Sequence, residues 1–144
     1  MSHAVQVVID CEDPAALSRF WAAALGYVVQ PPPDGFATWE AFLERMGVPE
    51  SQWNSRSAVT DPDGAGPRVF FQRVPEKKAT KNRVHLDIRA SGKPDVEPTE
   101  GRSRIETKVQ ELIAEGATRV RDVDEMGEYW TVLQDPEGNE FCVT

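Results

Sequence analysis

His85 and Asp87 are the side chains of this sequence best placed to act together. They alternate with Val84, Leu86 and Ile88 in the run Arg83 to Ala90. Residues i and i+2 of a strand share one face, so the apolar set points at a helix while His85, Asp87 and Arg89 point away from it. A carboxylate two residues from an imidazole holds the ring charged or fixes its tautomer, directly or through water, and so readies it to recognise a polar ligand.

Other reactive side chains fall on comparable faces. In the run Ala4 to Cys11, Val5, Val7 and Ile9 form the core set, which leaves Gln6, Val8 and Asp10 on the other face. Phe70 and Gln72 alternate in Pro67 to Val74, and Glu140 lies two residues before Cys142 on one face of the last strand. Cys142 with His85 has the elements of a thiol nucleophile, but nothing else nearby would lower the thiol pKa, and no orienting residue or oxyanion donor is visible. Each residue also has a plainer reading. His85 is then a satisfied polar group in a strand, Gln6 and Gln72 bond to each other, and Cys142 is packing. Lys77, Lys78, Lys81 and Arg83 form either a solvated connection or a lure for an anionic ligand.

The elements that must position these residues repeat. Asp13-Pro14 supplies an N-cap and a proline at the first helical position, and Leu17, Phe20, Trp21, Ala24 and Leu25 fall on one helical face before Gly26. Strands follow at Tyr27 to Gln30, Arg56 to Thr60 and Pro67 to Val74. Between them, Trp39 to Met46 is a short helical pattern closed by Gly47, and a turn opened by Pro49 precedes Trp53. From Asn82 the order begins again: strand Arg83 to Ala90, loop Ser91 to Gly101, then a helix opened by a Ser103 to Glu106 capping box. That helix carries Ile105, Val109, Leu112 and Ile113 and ends at Gly116. Strands Thr118 to Asp122, Tyr129 to Gln134 and Asn139 to Thr144 complete a second βαβββ series. Both series contain the same turn chemistry, Asp61-Pro62-Asp63-Gly64 and Asp135-Pro136-Glu137-Gly138.

Composition narrows the partners. The chain has 144 residues, a size that suits one domain. Its 16 Lys+Arg and 24 Asp+Glu give a net charge of −8, which repels polyphosphate, so nucleic acid and anionic membrane are poor partners. The longest uncharged apolar stretch, Phe20 to Val29, is about half the roughly 20 residues of a membrane span. No basic, apolar leader opens the sequence, which predicts a cytoplasmic protein in which Cys11 and Cys142 are buried thiols.

Together, the repeated βαβββ order, Phe20-Trp21, Leu25-Gly26-Tyr27 and Asp135-Pro136-Glu137-Gly138-Asn139-Glu140-Phe141 resemble the vicinal oxygen chelate superfamily of glyoxalase I, extradiol dioxygenases, and fosfomycin and bleomycin resistance proteins. Phe71-Gln72-Arg73-Val74-Pro75-Glu76 and Lys81-Asn82-Arg83-Val84-His85-Leu86-Asp87 are most similar to its glyoxalase-like domain proteins. The resemblance implies a single α+β domain over 1–144 built of two βαβββ modules, about 1–76 and 82–144, whose mixed sheet forms a cup with helices outside. It also implies metal ligands at Gln6, Gln72, His85 and Cys142. That set lacks the usual carboxylates, which leaves a divalent metal such as zinc, held through Cys142 or with Glu140 or Asp87 shifted into the role, as the cofactor to expect if there is one.

Two functions follow. One is a small-molecule binding protein whose pocket is lined by Gln6, Phe70, Gln72, His85, Asp87 and Trp130. The other is a metal-dependent lyase, isomerase or dioxygenase with Glu140 or Asp87 as base. A homodimer is expected as well, because resembling proteins complete their sheet edges with a partner and Trp39, Phe42 and Trp53 look costly to expose.

Overall fold

Asp13 and Pro14 begin the first helix as their types require. In the computed structural model, which describes residues 1–144, Asp13 accepts from the Ala16 N–H at 3.1 Å and Pro14 is the first helical residue. The chain divides into two compact units, Met1–Lys77 and Lys78–Thr144.

In the first unit, β1 (Val7–Cys11) leads into α1 (Pro14–Leu25), which ends at Gly26 with φ 69°. Then come β2 (Val28–Val29), α2 (Trp39–Arg45), a 3₁₀ turn (Glu50–Gln52), β3 (Arg56–Thr60) and β4 (Val69–Arg73). The sheet order is β1-β4-β3-β2, with β1 parallel to β4 and the other pairs antiparallel. Leu17, Phe20, Trp21 and Ala24 of α1 are buried, as are Val59, Val69 and Phe71 of the sheet. Each large apolar side chain so buried contributes about 1.5–3 kcal/mol. Asn54 ties this helix to the strands, since its Oδ1 accepts from the Ala15 N–H at 2.9 Å and its Nδ2 donates to Asp13 at 2.8 Å.

In the second unit, β5 (Asp87–Ile88) is followed by α3 (Pro98–Ala114), β6 (Thr118–Glu125), β7 (Glu128–Gln134) and β8 (Glu140–Val143). The order β5-β8-β7-β6 repeats that of the first unit, again with one parallel pair, β5 with β8. Ile105, Val109 and Leu112 of α3 are buried, as are Thr131, Leu133, Phe141 and Val143. Arg119 of β6 donates two bonds to Glu106 of α3, at 2.9 and 2.8 Å, and also pairs with Asp122.

Several expectations are corrected. The helix opens at Pro98, with Pro at its first position, and not at Ser103, whose carbonyl accepts from Thr107 inside the helix. Glu106 therefore serves Arg119 instead of a capping box. Ile113 is 37 % exposed and lies off the buried face. β6 runs on to Glu125, because Met126 (φ 53°) and Gly127 (φ 76°) supply a tight left-handed turn into β7. Val5 and Val84, expected in the core, are 71 % and 79 % exposed, since each lies outside the hydrogen-bonded ladder. Trp39, Phe42 and Trp53 are half-buried, so the cost of exposing them is smaller than the sequence suggests. The Trp39 and Trp53 indoles donate to the Gln30 and Val48 carbonyls at 2.8 and 2.9 Å, and Phe42 packs edge-on against Phe36 and Trp39.

Candidate functional site

Parallel pairing sets Asp87 opposite Cys142, and Cys142 is in turn opposite Val132 in β7. Direct lateral partners share a face, and here it is the face turned away from α3, because Val143, Thr131 and Leu133 alternate onto the buried side. His85 lies two residues before Asp87 and presents Nε2 to Asp87 Oδ1 at 3.3 Å, with both side chains half-exposed at 50 % and 51 %. The ligand atoms of His85, Asp87 and Cys142 all lie within 4.8 Å of one another.

The electrostatics of the three differ. Burial, followed by the charge of Asp87, pushes the Cys142 thiol above its ordinary pKa, while Lys81 and Arg121 pull the other way. In the metal-free protein Cys142 is therefore a thiol at neutral pH and not an activated nucleophile.

Glu140 has a different attachment. Its Oε2 accepts from the Asn82 N–H at 3.0 Å, its own N–H donates to Asn82 Oδ1 at 3.4 Å, and Lys78 and Lys81 lie at 3.5 and 3.9 Å. The Asn82 N–H foremost, with help from the two lysines, holds the Glu140 carboxyl below the usual range, so it is an anion at neutral pH. These two bonds tie the segment before His85 to the start of β8, ahead of the two-residue β5. Trp130 alternates onto the same face as Val132, on the side of Cys142 away from His85.

In the first unit, Arg68 donates from Nη1 to Gln6 Oε1 at 2.8 Å and from Nε to Gln30 Oε1 at 2.8 Å. Its guanidinium lies 5.2 Å from the centre of the Phe70 ring. Gln72 is paired with Asp10, four residues along from Gln6, so the two amides stand roughly 13 Å apart along the strands. Gln6 and Gln72 neither bond to each other nor share a site. A guanidinium on the oxygen that would face a metal makes Gln6 a poor ligand, whereas His85, Asp87 and Cys142 supply nitrogen, carboxylate and sulfur donors that suit a borderline ion. Arg68, Asn82 and the lateral partnership of Asp87 with Cys142 are not visible in the sequence, because each depends on pairing between residues more than 50 positions apart.

Two four-stranded mixed sheets of identical order, each with one parallel pair and a helix on one face, define the α+β fold of the vicinal oxygen chelate superfamily. Solved structures share it. A glyoxalase/bleomycin resistance protein/dioxygenase family enzyme from Burkholderia phytofirmans PsJN matches with TM-score 0.61 and 18 % identity, over 96 % of this chain and 94 % of that one. A point mutant of the fosfomycin resistance protein FosX from Listeria monocytogenes, in complex with Mn(II) and 1S,2S-dihydroxypropylphosphonic acid, matches with TM-score 0.63 and 8 % identity, over 99 % and 89 %. FosX from Mesorhizobium loti gives 0.62 and 9 %, over 99 % and 90 %. No curated protein sequence matches the chain. The chain belongs to the glyoxalase-like domain family, which matches residues 6–144. No helix is long and apolar enough to cross a membrane.

Proposed function

We propose that this protein binds a small molecule on the open face of the second unit's sheet, with His85 and Asp87 as the polar centre. The observation that carries this is the half-exposed pair His85 Nε2 to Asp87 Oδ1 at 3.3 Å. The imidazole and the carboxylate supply the polar contacts for a ligand, while Trp130 offers an aromatic surface on the same face. Glu140 is a positioning residue, because it acts on His85 only through the Asn82 segment. We read the protein as cytoplasmic, in keeping with two buried thiols, and as a homodimer by analogy with its fold relatives.

The test is a thermal-shift screen of small oxygenated and aromatic compounds. A hit that stabilises the protein should lose its effect in His85→Ala, whose own unfolding midpoint stays near that of the parent. If His85→Ala unfolds far more easily yet still binds the hit once folded, His85 is a structural residue and the reading fails.

A second reading is favoured by one observation, the close approach of three metal-ligating atoms. It is a metal-assisted lyase, isomerase or dioxygenase, in which a bound ion would polarise a substrate oxygen. His85, Asp87 and Cys142 would hold the ion, and Glu140 would keep the His85 segment in place.

A further inference from the structure

The metal ligands that the resemblance implies come from both modules, whereas His85, Asp87 and Cys142 come together within the second unit. We infer that His85, Asp87 and Cys142 form a self-contained site for a thiolate-preferring divalent ion of the zinc class, with a fourth position left to solvent or to the small molecule. This rests on the metal-assisted reading above, in which the same three residues hold the ion, and deepens it by naming the class of ion and the position left open.

Three features of the geometry support it. Around a tetrahedral ion with bonds of 2.0–2.3 Å the ligand atoms are spaced about 3.5 Å apart. His85 Nε2 and Asp87 Oδ1 already stand at 3.3 Å, and Cys142 lies within 4.8 Å of both, so small side-chain rotations close the set. The backbone also fixes the group, because Asp87 and Cys142 are register partners in a parallel pair. Finally, the half-exposure of His85 and Asp87 leaves one side open to an outside donor, the arrangement of a zinc site that does chemistry or takes a ligand and not of a closed structural one.

The charge balances. As the sulfur–metal bond forms, the Cys142 thiol gives its proton to solvent, and no other bond breaks. The thiolate and the Asp87 carboxylate then neutralise a dication, in a setting where the charges of Lys81 and Arg121 also act on the thiol. Magnesium, calcium and manganese prefer all-oxygen shells, so a sulfur and a nitrogen among three ligands select against them.

Cobalt(II) titration of the full-length protein, stripped with chelator and free of small-molecule ligand, tests this. One equivalent of cobalt should bind with a near-ultraviolet thiolate-to-cobalt charge-transfer band, which zinc abolishes and excess magnesium or manganese does not. Cys142→Ser should lose the band and Cys11→Ser should keep it. Asp87→Asn, which leaves the thiol in place, should keep the band but weaken cobalt binding by at least about tenfold. Circular dichroism confirms that each variant is folded, and if Cys142→Ser is not, the Asp87→Asn arm decides. No band in the parent protein, a band that survives Cys142→Ser, or unchanged affinity in folded Asp87→Asn would overturn the inference. Repeating the thermal-shift assay in chelator separates the two claims. A His85-dependent shift without a cobalt band removes the metal and leaves the ligand reading. A cobalt band with a ligand shift indifferent to His85→Ala removes the ligand reading instead, and with it the assignment of the fourth position to the small molecule.

Discussion

The two units run their strands in one order and close their hairpins with the same Asp-Pro-x-Gly chemistry, but they finish the face away from the helix differently. In the first unit a cation occupies that face: Arg68 takes the oxygens of Gln6 and Gln30 and covers Phe70. In the second unit an imidazole, a carboxylate and a thiol meet with half of the first two still exposed. Topology and core are therefore common property of the units, while the polar side chains set beside one another on that face are not.

The shared half of this comparison is broken most strongly through the core. Phe71 and Phe141, on the central strands β4 and β8, are both fully buried. Truncation to Ala should cost about 3–5 kcal/mol at either one, read by chemical denaturation. A loss under about 1 kcal/mol at one of them, by the same measure, would mean that the units do not share a core design.

The repeated turn gives a smaller, unequal effect. Asp135 is 2 % exposed and accepts from the Glu137 and Asn139 N–H groups, whereas Asp61 accepts from Asp63, Ala65 and Gly66 in a more open turn. Asp135→Ala should destabilise by about 2 kcal/mol, because it strands donors in a buried turn. Asp61→Ala should cost less, and a reversed order in paired melts would show that burial is not what separates the turns.

Acid should loosen the second unit through the clasp between α3 and β6. The Arg119 guanidinium, with Gln110, lowers Glu106 from 4.5 to about 2. A carboxyl depressed on folding contributes stability that is fully present above its unfolded pKa and is lost as pH falls from about 4.5 towards 2. Glu106→Gln should flatten the stability profile in that window by lowering the neutral-pH side, where the ionised pair contributes, and leave the acid side little changed. A profile identical to the parent's would remove this clasp from the account.

The smallest effect belongs to the first unit's face. Both Gln6 and Arg68 there are solvent-accessible polar groups, so Gln6→Ala should change stability by no more than about 0.5 kcal/mol in denaturant melts.

What the sequence discloses follows the range of the forces involved. α1 is readable residue by residue, since Asp13, Pro14, the apolar spacing and Gly26 all act within a few positions. β3 matches its expected bounds, Arg56 to Thr60, for the same reason. The start of α3 is hidden because Thr99 to Arg102 carry no apolar period, and Ser103 with Glu106 imitates a cap. The proline at position 98 is the available signal. The short β5 is hidden because its bounds depend on pairing with β8, far along the chain. At the site, alternation places His85 and Asp87 on one face, but no local pattern reveals that Arg68 takes Gln6 or that Asp87 faces Cys142. Those facts live in strand register, which is a property of the folded sheet.

The central claim, that recognition is centred on His85, is tested most directly by NMR of the histidine rings during titration with a thermal-shift hit. The chain has only two histidines, His3 and His85, so the signals assign each other. The account predicts that the His85 ring nitrogens shift in proportion to occupancy, with the Trp130 indole following and His3 unmoved. Saturation that perturbs other residues while the His85 ring stays fixed would contradict it.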